Sequence, residues 1–295
     1  MGGRGTGGGP GPGSGKSKAK KSAGSLSGGG SSSGGSGGSA GSSGGGGKGN
    51  SGAGTGGVTG GGGAGGQAGG GSGTTVNNQH HTLDLEFASD LTDVERAREQ
   101  EYMRELPQHL KDVLAKRGTR VFVGGRADES PGWADLAKDT GWKSDTLTAD
   151  GREIGTLSFY LPNRNEVYIS SRSPHGSVNV YVHELGHALD FHYIDGGGRQ
   201  IEFPPGSGDF ETVHVISDDP RFRSMHRKYI LNNTKVRKYY RTGSQGTAKS
   251  GREESVAEGM AEYQKYGREG LINLFHSAAA ADAWIAIMKD YGVIK

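Results

Sequence analysis

The folded part of this chain of 295 residues is predicted to be an α+β domain, a small mixed sheet packed with two principal helices and preceded by a Gly/Ser-rich tail. Three observations predict it. Short runs rich in β-branched and aromatic residues at 120–123, 155–161 and 166–170 read as strands. Val178, Val182, Leu185 and Leu189 then recur at helical spacing and give the next segment an apolar stripe. Downstream, residues 253–263 read as a second helix, with Val256, Ala257, Met260 and Ala261 on its apolar side.

The tail comes first in the chain. Of the 58 glycines, 37 fall in residues 1–75, with serine filling much of the remainder. Such a tract buries almost no apolar area, cannot offset the entropy of ordering, and is expected to be flexible and disordered. Its only charges are Arg4, Lys16, Lys18, Lys20, Lys21 and Lys48. The chain's +2 less this +6 leaves −4 on residues 76–295, so the folded domain shows no charge signature of nucleic-acid binding. Residues 76–91 read as a linker, with His80 and His81 as an incidental pair, and residues 92–295 are long enough for one domain with a real core. The absence of cysteine excludes disulfide staples and thiol chemistry. The N-terminus has no apolar stretch of secretory-signal length, and no segment approaches a transmembrane span.

Within the domain, Thr92 and Glu95 form a capping box that starts a helix, which Pro107 interrupts. A second helix runs from 108 to 116 and stops at Gly118. Residues 120–123 form a short strand, and 124–152 a loop with a helical turn near 133–138. Trp133 and Trp142 are core or lid residues there. Residues 155–161 and 166–170 form a hairpin across Pro162-Asn-Arg-Asn165, directly ahead of the first principal helix. Ser177 is the expected N-cap of that helix. Gly186 costs it about 1 kcal/mol of propensity, so close approach of another backbone is the expected reason for keeping it. Gly196–Gly198 closes this region, and Pro204–Gly208 is a loop that could line a cleft. His192, His214 and His226 have no assigned role. Trp284, Ile285 and Met288 are expected to pack a closing helical segment onto the domain.

The chemistry sits on the first principal helix, where His183, Glu184 and His187 form H-E-x-x-H. Histidines four apart lie one turn apart on one face, so both rings can reach one zinc ion at roughly 2.0–2.1 Å. Glu184 points beside the metal, where it can take a proton from water and pass it to a leaving amine. H-E-x-x-H on a helix is a known metalloprotease signature. A catalytic zinc usually takes three protein ligands, and without cysteine the third must be His, Asp or Glu. Asp190 lies about 10 Å of axial rise beyond His183, too far to share the ion, but near enough to His187 to accept a bond from its ring. On the second helix Glu254 and Glu258, four apart on one face, are the better candidates for the third ligand.

Here a resemblance becomes specific. Glu254-Ser-Val-Ala-Glu258-Gly-Met-Ala-Glu-Tyr263 is similar to the E-x-F-A-E-x-F-A-x-Y pattern of the anthrax lethal factor-like metallopeptidases. His183-Glu-Leu-Gly-His187-Ala-Leu-Asp190 resembles their H-E-x-G-H-x-x-D. The resemblance spans roughly 92–295 and implies a zincin-like metallopeptidase domain. It implies zinc held by His183, His187 and Glu254, with Glu258 supporting a ligand. A register shifted by one turn would instead make Glu258 the ligand and Glu262 its support. The family also has an oxyanion-stabilising tyrosine a few residues before the glutamate helix. Seven residues before Glu254 this chain has Thr247, and the nearest tyrosines are Tyr239 and Tyr240, of which Tyr240 is favoured.

The expected function is a zinc endopeptidase binding one Zn²⁺, acting as a monomer on a protein or peptide substrate, with Glu184 as general base and then acid. The alternative is a catalytically inert zincin-fold module, binding or structural, tethered by the tail. The resemblance implies secretion or delivery into a target cell. Neither substrate nor cleavage preference is legible.

Overall fold

The computed structural model describes residues 82–148 and 151–295; the tail at 1–75, the start of the linker and the His80–His81 pair lie outside the described residues. Strand β1 (Leu85–Phe87) is followed by helices α1 (Asp93–Arg104) and α2 (Gln108–Lys116), strand β2 (Arg120–Gly124) and helix α3 (Trp133–Thr140). Next come β3 (Phe159–Leu161), β4 (Glu166–Ser170) and α4 (Val180–His192). The chain continues through β5 (Arg199–Glu202), β6 (Phe210–Val213), α5 (Pro220–Tyr229), α6 (Lys238–Thr242), α7 (Ala248–Phe275) and α8 (Ala278–Tyr291).

The main sheet has the order β1-β2-β4-β3. β1, β2 and β4 are mutually parallel, and β3 returns antiparallel to β4 with Phe159 opposite Tyr168. The sheet is therefore mixed, as expected, and β3 is one of its edges. Alternation along the strands divides the core in two. Val121, Val123, Val167 and Ile169 face the main core of helices, together with Val182, Leu185, Met260 and Trp284. Phe122, Tyr168, Phe159 and Leu161 face a smaller core under α3, where Trp133 and Trp142 also pack. There the Phe122, Tyr168 and Phe159 rings lie 5.1 and 5.0 Å apart in sequence.

Four expectations change. Strand β1 lies ahead of Thr92, inside the segment read as linker, and pairs Leu85 with Val121. Thr92 does cap α1, with both halves of its capping box formed. The N-cap of α4 is Asn179, whose side chain accepts from the Tyr181 and Val182 N–H groups, while the Ser177 hydroxyl oxygen accepts from Asn179 N–H. Asn179 wins because its amide nitrogen is also held by the Tyr102 carbonyl and the Glu105 carboxylate. The glutamate helix is far longer than 253–263: α7 has 28 residues, starts at a Thr247 N-cap and breaks its helical dihedrals only at Gly267. Pro204–Gly208 is the turn of the β5–β6 hairpin, and none of it lines the main cleft.

Candidate metal centre and active-site cleft

The site is built where α4 and α7 meet, in opposite chain directions. His183 meets Glu258 and Glu254, Gly186 meets Ala257, and His187 meets Glu254. The helices come this close because a Cβ on Gly186 would lie 2.9 Å from the Ala257 Cα, closer than such atoms approach. This is the backbone approach that the glycine's cost in helix propensity anticipates.

One ligand atom from each of His183, His187 and Glu254 lies within 4.8 Å of the other two, and all three residues are buried. Glu254 Oε2 lies 3.4 Å from His183 Nε2 and 3.5 Å from His187 Nε2, and has no hydrogen-bond partner among the described residues. These separations exceed the usual 2.7–3.2 Å of an N–H···O bond. They match the edge of about 3.3–3.4 Å between ligands placed tetrahedrally at 2.0–2.1 Å from zinc. An orphaned buried carboxylate oxygen facing two imidazole nitrogens at that spacing fits a divalent cation. Glu258 is placed differently: its Oε2 lies 2.7 Å from His183 Nδ1, the ring nitrogen away from Glu254. It thus sits where a carboxylate orients a ligand ring and leaves Nε2 for the ion.

The electrostatics agree. Burial alone would raise the Glu254 carboxyl, but the His187 and His183 rings outweigh it and hold Glu254 below the usual carboxylate range. Burial opposes charge on His183 and His187 as well, yet the surrounding carboxylates raise both imidazoles. Without a cation the cluster therefore draws protons onto its rings, and a bound cation would replace them. Glu184 is buried on the cleft wall, and its carboxyl is raised, mainly by that burial.

Asp190 does not bond to His187 among the described residues. Its Oδ1 accepts the Ser217 N–H at 2.6 Å, while Oδ2 has no partner. Near it lies Glu253, 1% exposed, with both carboxyl oxygens unpartnered among the described residues. Burial pushes Asp190 up to about 7 and, with the Asp190 charge adding, Glu253 up to about 8. Both carboxyls are more basic in the folded chain than unfolded, where they titrate at about 3.9 and 4.3. The folded state therefore binds more protons between about pH 4 and 8, and stability falls as pH rises through that window. For the metal-free protein, Glu253→Gln should flatten this fall by on the order of a few kcal/mol. Urea unfolding at pH 5 and pH 8 measures it, and an unchanged difference between the two pH values would count against a neutral Glu253.

The two tyrosines are placed differently. The Tyr239 phenol is raised first by burial, then by the charge and hydrogen bonding of Glu254, and further by the Glu184 charge. The residue as a whole is 36% exposed. Tyr240 is 6% exposed in the main core, and although it shares the cleft wall, among the described residues its phenol makes no hydrogen bond to His183, His187 or Glu254. The tyrosine hydrogen-bonded to Glu254 is thus Tyr239, where the sequence favoured Tyr240 for the oxyanion. Thr247, seven residues before Glu254, is the α7 N-cap.

These groups open into a cleft of about 360 Å³. Residues 156–160 at the β3 edge form one wall, Ser173–Ser177 a second, and Arg237, Tyr239, Tyr240 and Ser244 a third. No family model matches the chain, and no curated protein matches it. Among solved structures it is similar to the Pro-Pro endopeptidase of Paenibacillus alvei, at 16% identity and a TM-score of 0.44, covering 70% of this chain and 96% of that one.

Proposed function

We propose that this chain is a zinc-dependent endopeptidase that hydrolyses peptide bonds of a protein substrate. The observation that carries the reading is the His183–His187–Glu254 cluster with Glu184 beside it in an open cleft. Two imidazoles and a carboxylate, with no thiolate in the chain, suit zinc in a catalytic rather than a closed structural site. When bound, zinc supplies Lewis acidity, polarising the scissile carbonyl and lowering the pKa of water.

The rest is done by the chain's own side chains. Glu184 takes the proton from the attacking water and hands it to the leaving amine, and its raised pKa brings it nearer the pH at which it must do both. Tyr239 donates a hydrogen bond to the carbonyl oxygen as charge develops there. Glu258 holds the His183 ring through Nδ1. The edge strand β3 receives the substrate as an added strand, aligning its backbone along the cleft.

The experiment is direct. Metal-free protein titrated with zinc should take up one ion per chain, and the loaded protein should cut members of a random peptide library, read by mass spectrometry. A chelator should stop cleavage and added zinc restore it. Failure to bind zinc would remove the site, and binding without cleavage would remove the peptidase. Within this scheme Tyr239→Phe should lower kcat by about 10²–10³-fold at unchanged zinc content, the usual worth of one oxyanion donor. Tyr240→Phe should leave kcat within about tenfold, and the opposite ranking would return the role to Tyr240.

A further inference from the structure

Helix α6 carries Tyr239 but has only five residues and no side-chain N-cap. A helix that short does not hold itself together in water, so its place must be imposed from outside. One point on it is gripped by two neighbours. The Tyr240 carbonyl oxygen lies 3.1 Å from His226 Nε2 on α5 and 3.0 Å from Ser255 Oγ on α7. His226 and Ser255 are both buried. A carbonyl only accepts, so His226 must carry its proton on Nε2. Burial pushes the ring down to about 4, which leaves it neutral at physiological pH. Ser255 Oγ also lies 2.8 Å from the Gly251 carbonyl, so its one proton is divided between two acceptors, while the His226 proton has no competing acceptor among the described residues. Gly251 adds a steric condition: a Cβ there would fall 2.2 Å from the Arg241 carbonyl oxygen, so α6 and α7 lie backbone to backbone.

We propose that His226, assisted by Ser255, is a positioning residue: by holding the Tyr240 carbonyl it fixes α6 so that the adjacent Tyr239 hydroxyl stays against the ligand cluster. His226 does not line the cleft and touches no ligand. Its effect passes through one peptide group, and the inference rests on the peptidase reading above only for its catalytic consequence.

The test has two arms. In the metal-free protein, His226→Leu should speed amide hydrogen exchange of residues 238–242 at least about tenfold relative to wild type, with α4 and the 253–262 stretch of α7 unchanged. His226→Gln, which keeps a donor, should restore most of the protection. In the zinc-loaded protein, His226→Leu should lower kcat at least about tenfold with KM within about twofold and zinc content unchanged. In a Tyr239→Phe background the same change should cost nothing further. Ser255→Ala should show the same pattern at smaller size, and it serves if His226→Leu does not fold. Unchanged exchange in both variants overturns the clamp. A kcat loss that persists in the Tyr239→Phe background, or exchange that quickens with kcat unchanged, overturns its tie to Tyr239. If wild type cleaves nothing, the peptidase reading fails on its own, and the exchange arm still decides whether the clamp exists.

Discussion

Glu184→Gln should retain one zinc per chain and lose about 10²–10⁴-fold in kcat/KM, the range that a positioned acid–base group contributes. The two effects separate because Glu184 is not among the residues whose ligand atoms converge. Its carboxyl lines the cleft on the same helix, one residue after His183. Glutamine keeps the shape and removes the proton acceptor. Zinc measured by elemental analysis beside cleavage rates on one peptide gives both readouts. A variant that keeps more than a tenth of the activity would mean that another group moves the proton, and loss of zinc would mean that Glu184 supports the ligands.

The ranking of the two helix α7 carboxylates is the second large effect. Glu254→Gln should weaken zinc binding by more than the roughly 10–100-fold typical of a residue that only orients a ligand, whereas Glu258→Gln should stay within that range. The distances decide the order. Glu254 Oε2 faces the Nε2 atoms of both rings, while Glu258 Oε2 sits 2.7 Å from the far nitrogen of one. The shifted register, with Glu258 binding and Glu262 in support, predicts the reverse ranking. Competition against a chromophoric chelator measures both affinities.

Much of this site was legible because its rules are local. Two histidines four apart must share a helix face, two glutamates four apart must do the same, and a glycine kept inside a helix asks for a close neighbour. Those rules identified His183, His187, Glu254, Glu258 and the contact behind Gly186. What the sequence hid depends on distant partners. β1 is three residues long, and its place follows from parallel pairing with β2, not from any pattern of its own. β5 and β6 pair mostly on the surface, so they lack the apolar alternation that marks a half-buried strand. Ser177 and Asn179 are equally good caps in isolation, and contacts from α1 and Glu105 choose between them. The choice of Tyr239 over Tyr240 likewise depends on how α6 is seated. Nothing local marks Glu253 as a buried carboxyl near Asp190, because acidic residues near a helix start are common.

Helix α4 touches α7 where Gly186 meets Ala257, and what fills that contact is the lack of a methyl group. The bite of the three donors is consequently ruled by steric thickness between two rods as much as by the donors themselves. Any bulk added there would act as a shim, prising the imidazole pair off its carboxylate partner and spoiling the grip without altering a single coordinating atom.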